Sequence, residues 1–210
     1  MNIPSTSIPS KKKSIITASG MLFLLSGFII FMGIISGEIF YTLPFNTRNS
    51  YISELAAALP PNLTPHLSSV IFNLTMILSG TMIIIAGFLL QISSGKLLVC
   101  IPIILFGTGF LGVGIFPGNI APWHGVFALF VFLAGGMAAI TSYKLVISPL
   151  KYVFMSFGII ALAFLFLQKL FIPILGVGGT ERWLLYPEVF WLLAFGAYLI
   201  GTSTISQQRT

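Results

Sequence analysis

Six long apolar runs, separated by short polar interruptions, organise the chain from Ile15 onward. The first extends from Ile15 to Phe40, the second from Leu67 to Gln91 and the third from Leu97 to Phe116. The fourth covers Trp123–Tyr143, the fifth Tyr152–Ile174 and the sixth Trp183–Gly201, with Pro173 and Pro187 interrupting the ends of the last two. Each is close to the ~20 residues an α-helix needs to cross a ~30 Å hydrocarbon core. The pattern predicts an all-α polytopic membrane protein: a six-transmembrane-helix bundle over residues 15–201, flanked by polar tails at 1–14 and 202–210. The first run is too long for the apolar core of a signal peptide and lacks a small-residue cleavage site, so it is expected to stay as an anchor.

Composition agrees with this pattern. Apolar residues make up 57% of the chain and charged residues 7%, with a mean hydropathy of +1.05, far from the soluble range. Little sequence remains for a separate soluble domain. The net charge of +6 comes from cations scattered among short loops. No basic face or aromatic motif accompanies them, so no nucleic-acid partner is expected, and contact with anionic lipid headgroups fits better. Cys100 is the single cysteine, which excludes an intramolecular disulfide and a cysteine-based metal cluster.

The charged residues segregate by loop. Lys11, Lys12, Lys13, Lys96, Lys144, Lys151 and Arg209 lie in the first tail, the loops after the second and fourth runs, and the last tail. Cations mark cytoplasmic loops, so both termini are expected in the cytoplasm of a multi-pass cell-membrane protein. All four carboxylates (Glu38, Glu54, Glu181 and Glu188) and both histidines (His66 and His124) then fall toward the outer side; the chain has no aspartate.

Helix phase groups these polar residues. His66, Asn73, Gly80 and Gly87 are spaced by sevens and share one stripe of the second run. At 1.5 Å per residue Asn73 lies roughly 10 Å below His66, where an amide needs a partner from another helix. Lys169 and Glu188 are equidistant from a turn centred between Gly178 and Gly179. If the fifth and sixth runs form a straight hairpin, these two lie at equal depth and should pair, as a structural bridge or as part of a functional polar site. Glu181 lies above Glu188 on the same face and Arg182 follows it. The stretch Tyr51–Leu59 predicts a short amphipathic helix, at the interface or folded back over the bundle, stopped by Pro60 and Pro61. Asn62-Leu-Thr64 forms a glycosylation sequon. Small residues at four-residue spacing (Gly33 with Gly37, Ala134 with Ala138, Gly135 with Ala139, Ala197 with Gly201) predict close helix packing, within the chain or in a homo-oligomer or membrane complex.

Ile52-Ser-Glu-Leu, Phe72-Asn, Gly114-Ile-Phe-Pro, His124-Gly and Glu181-Arg182 occur in this order along the chain. Taken together they resemble the domain-of-unknown-function 998 (DUF998) family of six-span prokaryotic membrane proteins. The resemblance implies the six-helix fold and a shared outer site containing Ser53, Glu54, Asn73, Pro117, His124, Glu181 and Arg182. The chain departs from the family pattern at Ala56-Ala57, where glycine often follows. The family carries no settled activity to transfer.

The residue inventory excludes several chemistries. Without aspartate there is no aspartate dyad or aspartate-rich metal–diphosphate site, and no His-Glu-x-x-His, nucleophile elbow or phosphate-cradling loop occurs. Two histidines and a glutamate could hold a metal or haem, but no spacing requires it, so no cofactor is expected. Three readings follow. One is an outward pocket, among Ser53, Glu54, His66, Asn73, His124, Lys169, Glu181, Arg182 and Glu188, that binds a small anionic or amphiphilic ligand. In it Arg182 and Lys169 would attract an anion. The second is a membrane-embedded enzyme acting on a lipid or lipid-linked substrate, with Glu54 or Glu188 as base and His124 as acid. The third is a structural subunit of a membrane complex.

Overall fold

The computed structural model describes residues 9–56 and 67–208, with side chains as far as Ser203. His66, the Pro60-Pro61 stop and the Asn62 sequon lie outside the described residues. Among the described residues every regular element is helical: α1 (Ser10–Ile39), α2 (Leu67–Ser94), α3 (Leu97–Ile115), α4 (Trp123–Thr141), α5 (Leu150–Phe166) and α6 (Gln168–Gln208), with short 3-10 turns at Ile52–Ala56 and Ser142–Lys144. All helices but α5 are long and apolar enough to cross a membrane; α5 is a shorter apolar helix. Each packs on its neighbours in chain order, and α1 closes the ring against α6.

The exterior of the ring is apolar. On α1, Met21, Leu25, Phe28, Met32 and Ile35 form an exposed stripe at helical spacing, opposite the buried Phe23, Ile30 and Ile34. A water-soluble bundle would carry charges on that stripe; here the outward side chains match hydrocarbon. Inside, Trp191, Phe106, Phe110, Phe154 and Phe195 are fully buried, or nearly so, at the centre.

Because lipid is as apolar as leucine, burial of apolar surface gives helices little reason to associate in a membrane, and close packing and hydrogen bonds must do so. Both are present. Gly107 of α3 lies against Gly80 of α2, where an added Cβ would meet the Gly80 oxygen at 2.9 Å. Gly114 lies against the Asn73 carbonyl, at 2.7 Å by the same measure. The seven-residue stripe of α2 is thus the seam with α3, whose glycines repeat at the same interval, as an antiparallel crossing requires. Ser19 Oγ donates to the Ala86 carbonyl at 2.8 Å between α1 and α2, and Trp191 Nε1 donates to Ser142 Oγ at 3.2 Å. Gly33 packs against Thr75, and Gly37 against Leu55, whereas Gly201 meets nothing within 4 Å.

The fifth and sixth runs differ from the straight hairpin expected. Helix α5 ends at Phe166, and α6 is broken at Gly176 (φ 75°, ψ 172°) into pieces 168–175 and 177–208. That left-handed conformation is one glycine adopts at little cost. Two breaks replace one turn, so the equal-depth argument for Lys169 and Glu188 fails. From Gly176, Glu188 lies about 18 Å along its helix at 1.5 Å per residue. It is fully buried, while Lys169 is exposed. The two do not pair.

Apart from Glu188, the carboxylates and six of the seven lysines separate by end of the bundle. Glu38, Glu54, Glu181 and His124 belong to the end that carries residues 40–56, while Lys11–Lys13, Lys96, Lys144 and Lys151 belong to the opposite end.

Candidate functional site

The end carrying the acidic residues is built around residues 46–56, which fold into the bundle. Ile52, Leu55 and Ala56 are buried, so the described part of the short helix expected over Tyr51–Leu59 is a 3-10 turn, Ile52–Ala56, docked by its apolar face, while residues 57–59 lie outside the described residues. Its polar groups are met by one of its own side chains and from two helices. Glu54 accepts the Tyr51 N–H at 2.9 Å, closing the turn on itself. The Glu181 carboxylate of α6 accepts the Ile52 N–H, and the Ser53 amide and hydroxyl lie against the same carboxylate. Asn73 Nδ2 reaches the Ala56 carbonyl at 3.4 Å, and its own oxygen is buried without a partner among the described residues. The partner of Asn73 is thus this inserted segment, not the neighbouring helix expected from its depth. Burial, and then the neighbouring Glu54 carboxylate, push the Tyr41 phenol above its ordinary value.

The preceding turn caps α6 after its break. A helix start leaves several N–H groups without partners, and here the Arg48 carbonyl accepts from Gly178 at 2.9 Å and from Gly179 at 3.2 Å. This approach needs glycine: a Cβ at Gly178 would come within 2.7 Å of the Thr47 carbonyl. Arg182 completes the junction. Its Nη1 donates to the Thr47, Ser50 and Gly178 carbonyls at 3.0, 3.1 and 3.0 Å, and its Nη2 pairs with Glu38 at 2.8 Å. The guanidinium also lies 5.5 Å from the centre of the Phe45 ring. Arg182 is 6% exposed, so most of its donors are engaged by the protein. The sequence reading missed Glu38 as a member of this cluster. One signal pointed to it: a carboxylate in the last turn of a helix opposes the helix dipole and favours a cationic partner.

Beside this junction lies a cavity of about 280 Å³ between the starts of α4 and the second piece of α6, the end of α5 and the 3-10 turn. Ser53, His124, Gln168, Thr180 and Glu181 supply its polar groups, while Leu129, Phe132, Leu165 and Leu184 form apolar walls. A smaller space of about 40 Å³ continues inward from Ser53, His124 and Glu181 toward Phe110, Val131 and Leu185. His124 is oriented by a 2.8 Å hydrogen bond between Nδ1 and the Phe116 carbonyl. A carbonyl only accepts, so Nδ1 carries the hydrogen and Nε2 is the nitrogen left open.

The predicted site residues therefore divide. Ser53, His124 and Glu181 converge on one cavity. Glu54 and Asn73 hold the inserted turn, Arg182 clamps the junction, and Lys169 stands exposed on the 168–175 piece. Arg182 also borders a separate, mostly apolar cleft with Trp183 and Tyr186. Glu188 lies deeper, its carboxylate against the Gly135–Gly136 backbone of α4; neither of its oxygens has a geometrically sound hydrogen bond. Gln168 and Thr180 were not anticipated, because the breaks at Leu167 and Gly176 bring them to the cavity. Among the described residues no three histidine, cysteine or acidic side chains gather as a metal site would need.

An all-helical chain with several apolar helices of crossing length, lipid-compatible outside and polar at its ends, is a multi-pass membrane protein. The family model described as "Protein of unknown function (DUF998)" matches residues 24–198, and the chain belongs to that family. No curated protein and no solved structure matches it.

Proposed function

We propose that the chain is a six-span protein of the cell membrane, both termini cytoplasmic, whose outward cavity binds a small amphiphilic, lipid-like ligand. The orientation rests on Lys11–Lys13, Lys96, Lys144 and Lys151 gathered at one end. The fifth crossing rests on α5 being continued by the 168–175 piece. The observation that carries the ligand reading is the cavity, close to the ~300 Å³ lower bound of small-molecule sites, with a few polar groups set among apolar walls. Of the ligand classes the sequence allowed, the amphiphile fits and the anion does not. Arg182 is engaged by Glu38 and three carbonyls, and Lys169 does not line the cavity.

Photolabelling of the protein in lipid vesicles tests this reading, using a long-chain fatty alcohol that carries a diazirine in its tail. Saturable labelling should concentrate on residues 125–132 and 177–184 and be competed by unlabelled alcohol. Labelling spread evenly over the lipid-facing residues, such as Phe28, Leu74 and Phe88, and not competed, contradicts it.

A second reading, an enzyme acting on a lipid or lipid-linked substrate, draws on the His124 tautomer. With Nδ1–H held by Phe116, neutral His124 offers Nε2 as a proton acceptor in the cavity that Glu181 shares. The bases expected from sequence, Glu54 and Glu188, do not line it. Incubation of the protein with radiolabelled membrane lipids should then yield a product with wild type and none with His124→Gln; no product from wild type rejects the enzyme.

A further inference from the structure

Resting on the amphiphile reading, the geometry points to a ligand whose head group donates hydrogen bonds, a hydroxyl or an ammonium, and excludes a phosphate or carboxylate head. The cavity's two strongest polar groups are acceptors: the Glu181 carboxylate and, in neutral His124, the open Nε2. No lysine or arginine lines it. The nearest cation in sequence, Arg182, follows Glu181 directly but points into the junction, where Glu38 and the carbonyls of Thr47, Ser50 and Gly178 hold it. Adjacent helical residues face different directions, which separates the cation from the cavity by construction. The Thr180 hydroxyl donates to the Gly176 carbonyl at 2.7 Å and the Ser53 hydroxyl lies against the Glu181 carboxylate, so both face a ligand as acceptors, and of the neutral polar groups only the Gln168 amide adapts to either partner. An anionic head would lie against a carboxylate whose neighbouring guanidinium is engaged elsewhere and does not line the cavity, and like charges in a poorly hydrated site are penalised heavily. A head rich in donors meets complementary groups throughout. Its tail would follow Phe132, Leu165 and Leu184 between α4, α5 and α6.

Three probes with the same tail decide this: 1-O-decylglycerol, decylammonium and decyl phosphate, titrated against the full chain in nanodiscs with empty nanodiscs subtracted. We expect saturable binding of at least one donor-headed probe, with decyl phosphate at least about tenfold weaker. Glu181→Gln separates the two donor classes. It should weaken decylammonium at least about fivefold and change decylglycerol less, since only the former depends on the charge. Because Glu181 also holds the inserted turn, Gln168→Lys at the exposed rim serves as the companion variant. It should strengthen decyl phosphate several-fold by supplying the absent cation. Decyl phosphate binding wild type as tightly as the better donor probe overturns the head-group assignment; if photolabelling still maps to the cavity, the amphiphile reading survives. No saturable binding by any probe, with diffuse photolabelling, removes both.

Discussion

Arg182 of α6 and Glu38 of α1 are joined by a 2.8 Å ion pair at the end of the bundle where residues 46–50 fold in. The side chains are 7% and 30% exposed, and the same guanidinium holds three backbone carbonyls. One side chain thus ties the first helix, the inserted segment and the last helix together.

Arg182→Ala should therefore be among the most destabilising single changes at this end. Removing one partner of a buried pair typically costs about 3–5 kcal/mol. Glu38→Gln, at the better-solvated partner, should cost about 1–2 kcal/mol by the same reasoning. Arg182→Lys should restore little, because an ammonium cannot present a planar fork to Glu38 and the carbonyls together. Reversible unfolding in mixed micelles gives all three, and Arg182→Ala costing no more than Glu38→Gln would show that the carbonyl contacts contribute nothing.

The inserted segment should open when its α6 anchor is removed. Glu181→Ala deletes the acceptor for the Ile52 N–H, and a hydrogen bond to a charged group contributes about 1.5–3 kcal/mol. A tenfold change corresponds to about 1.4 kcal/mol, so trypsin should cut after the exposed Arg48 at least about tenfold faster in this variant than in wild type. Equal rates would mean that the apolar face and the Arg182, Arg48 and Asn73 contacts hold the segment without Glu181.

Glycines at the seams differ sharply from glycines outside them. A Cβ at Gly107 would meet the Gly80 oxygen at 2.9 Å and the backbone nitrogen of Ile84 at the same distance, whereas Gly201 has open space. Gly107→Ala should lower stability by about 1–3 kcal/mol through forced helix separation, and Gly201→Ala should leave it within about 0.5 kcal/mol. Thermal unfolding in one detergent compares them directly.

Orientation is tested separately. In a Cys100→Ala background, an impermeant maleimide applied to intact cells should label Asn49→Cys and spare Lys144→Cys until the cells are opened. The reverse pattern would invert the bundle.

Much of the fold was legible because hydrophobic run length reports directly on helices in a membrane. The α2 stripe was legible too: Asn73, Gly80 and Gly87 lie on one face by phase alone, and that face packs on α3. What failed was the path of the chain where phase is broken. The Lys169–Glu188 pair assumed one turn and straight helices, but Gly176 in a left-handed conformation and the break at Leu167 change both depth and direction. For the site, Ser53, His124 and Glu181 were named from sequence and share a cavity, while the role of Arg182 was not readable. Nothing local in Glu181-Arg182 tells which of two adjacent side chains turns toward the cavity and which toward Glu38.

The central claim is that the cavity beside this clamp holds an amphiphile, and native mass spectrometry of protein extracted gently from its own membrane tests it most directly. Ala128→Phe is the matched variant, since Ala128 lines both the larger space and its inward extension. Wild type should retain one lipid-like molecule of defined mass, and Ala128→Phe, unfolding at an unchanged temperature, should lose it. Wild type without any such molecule, or the same adduct persisting in the filled variant, would contradict the account.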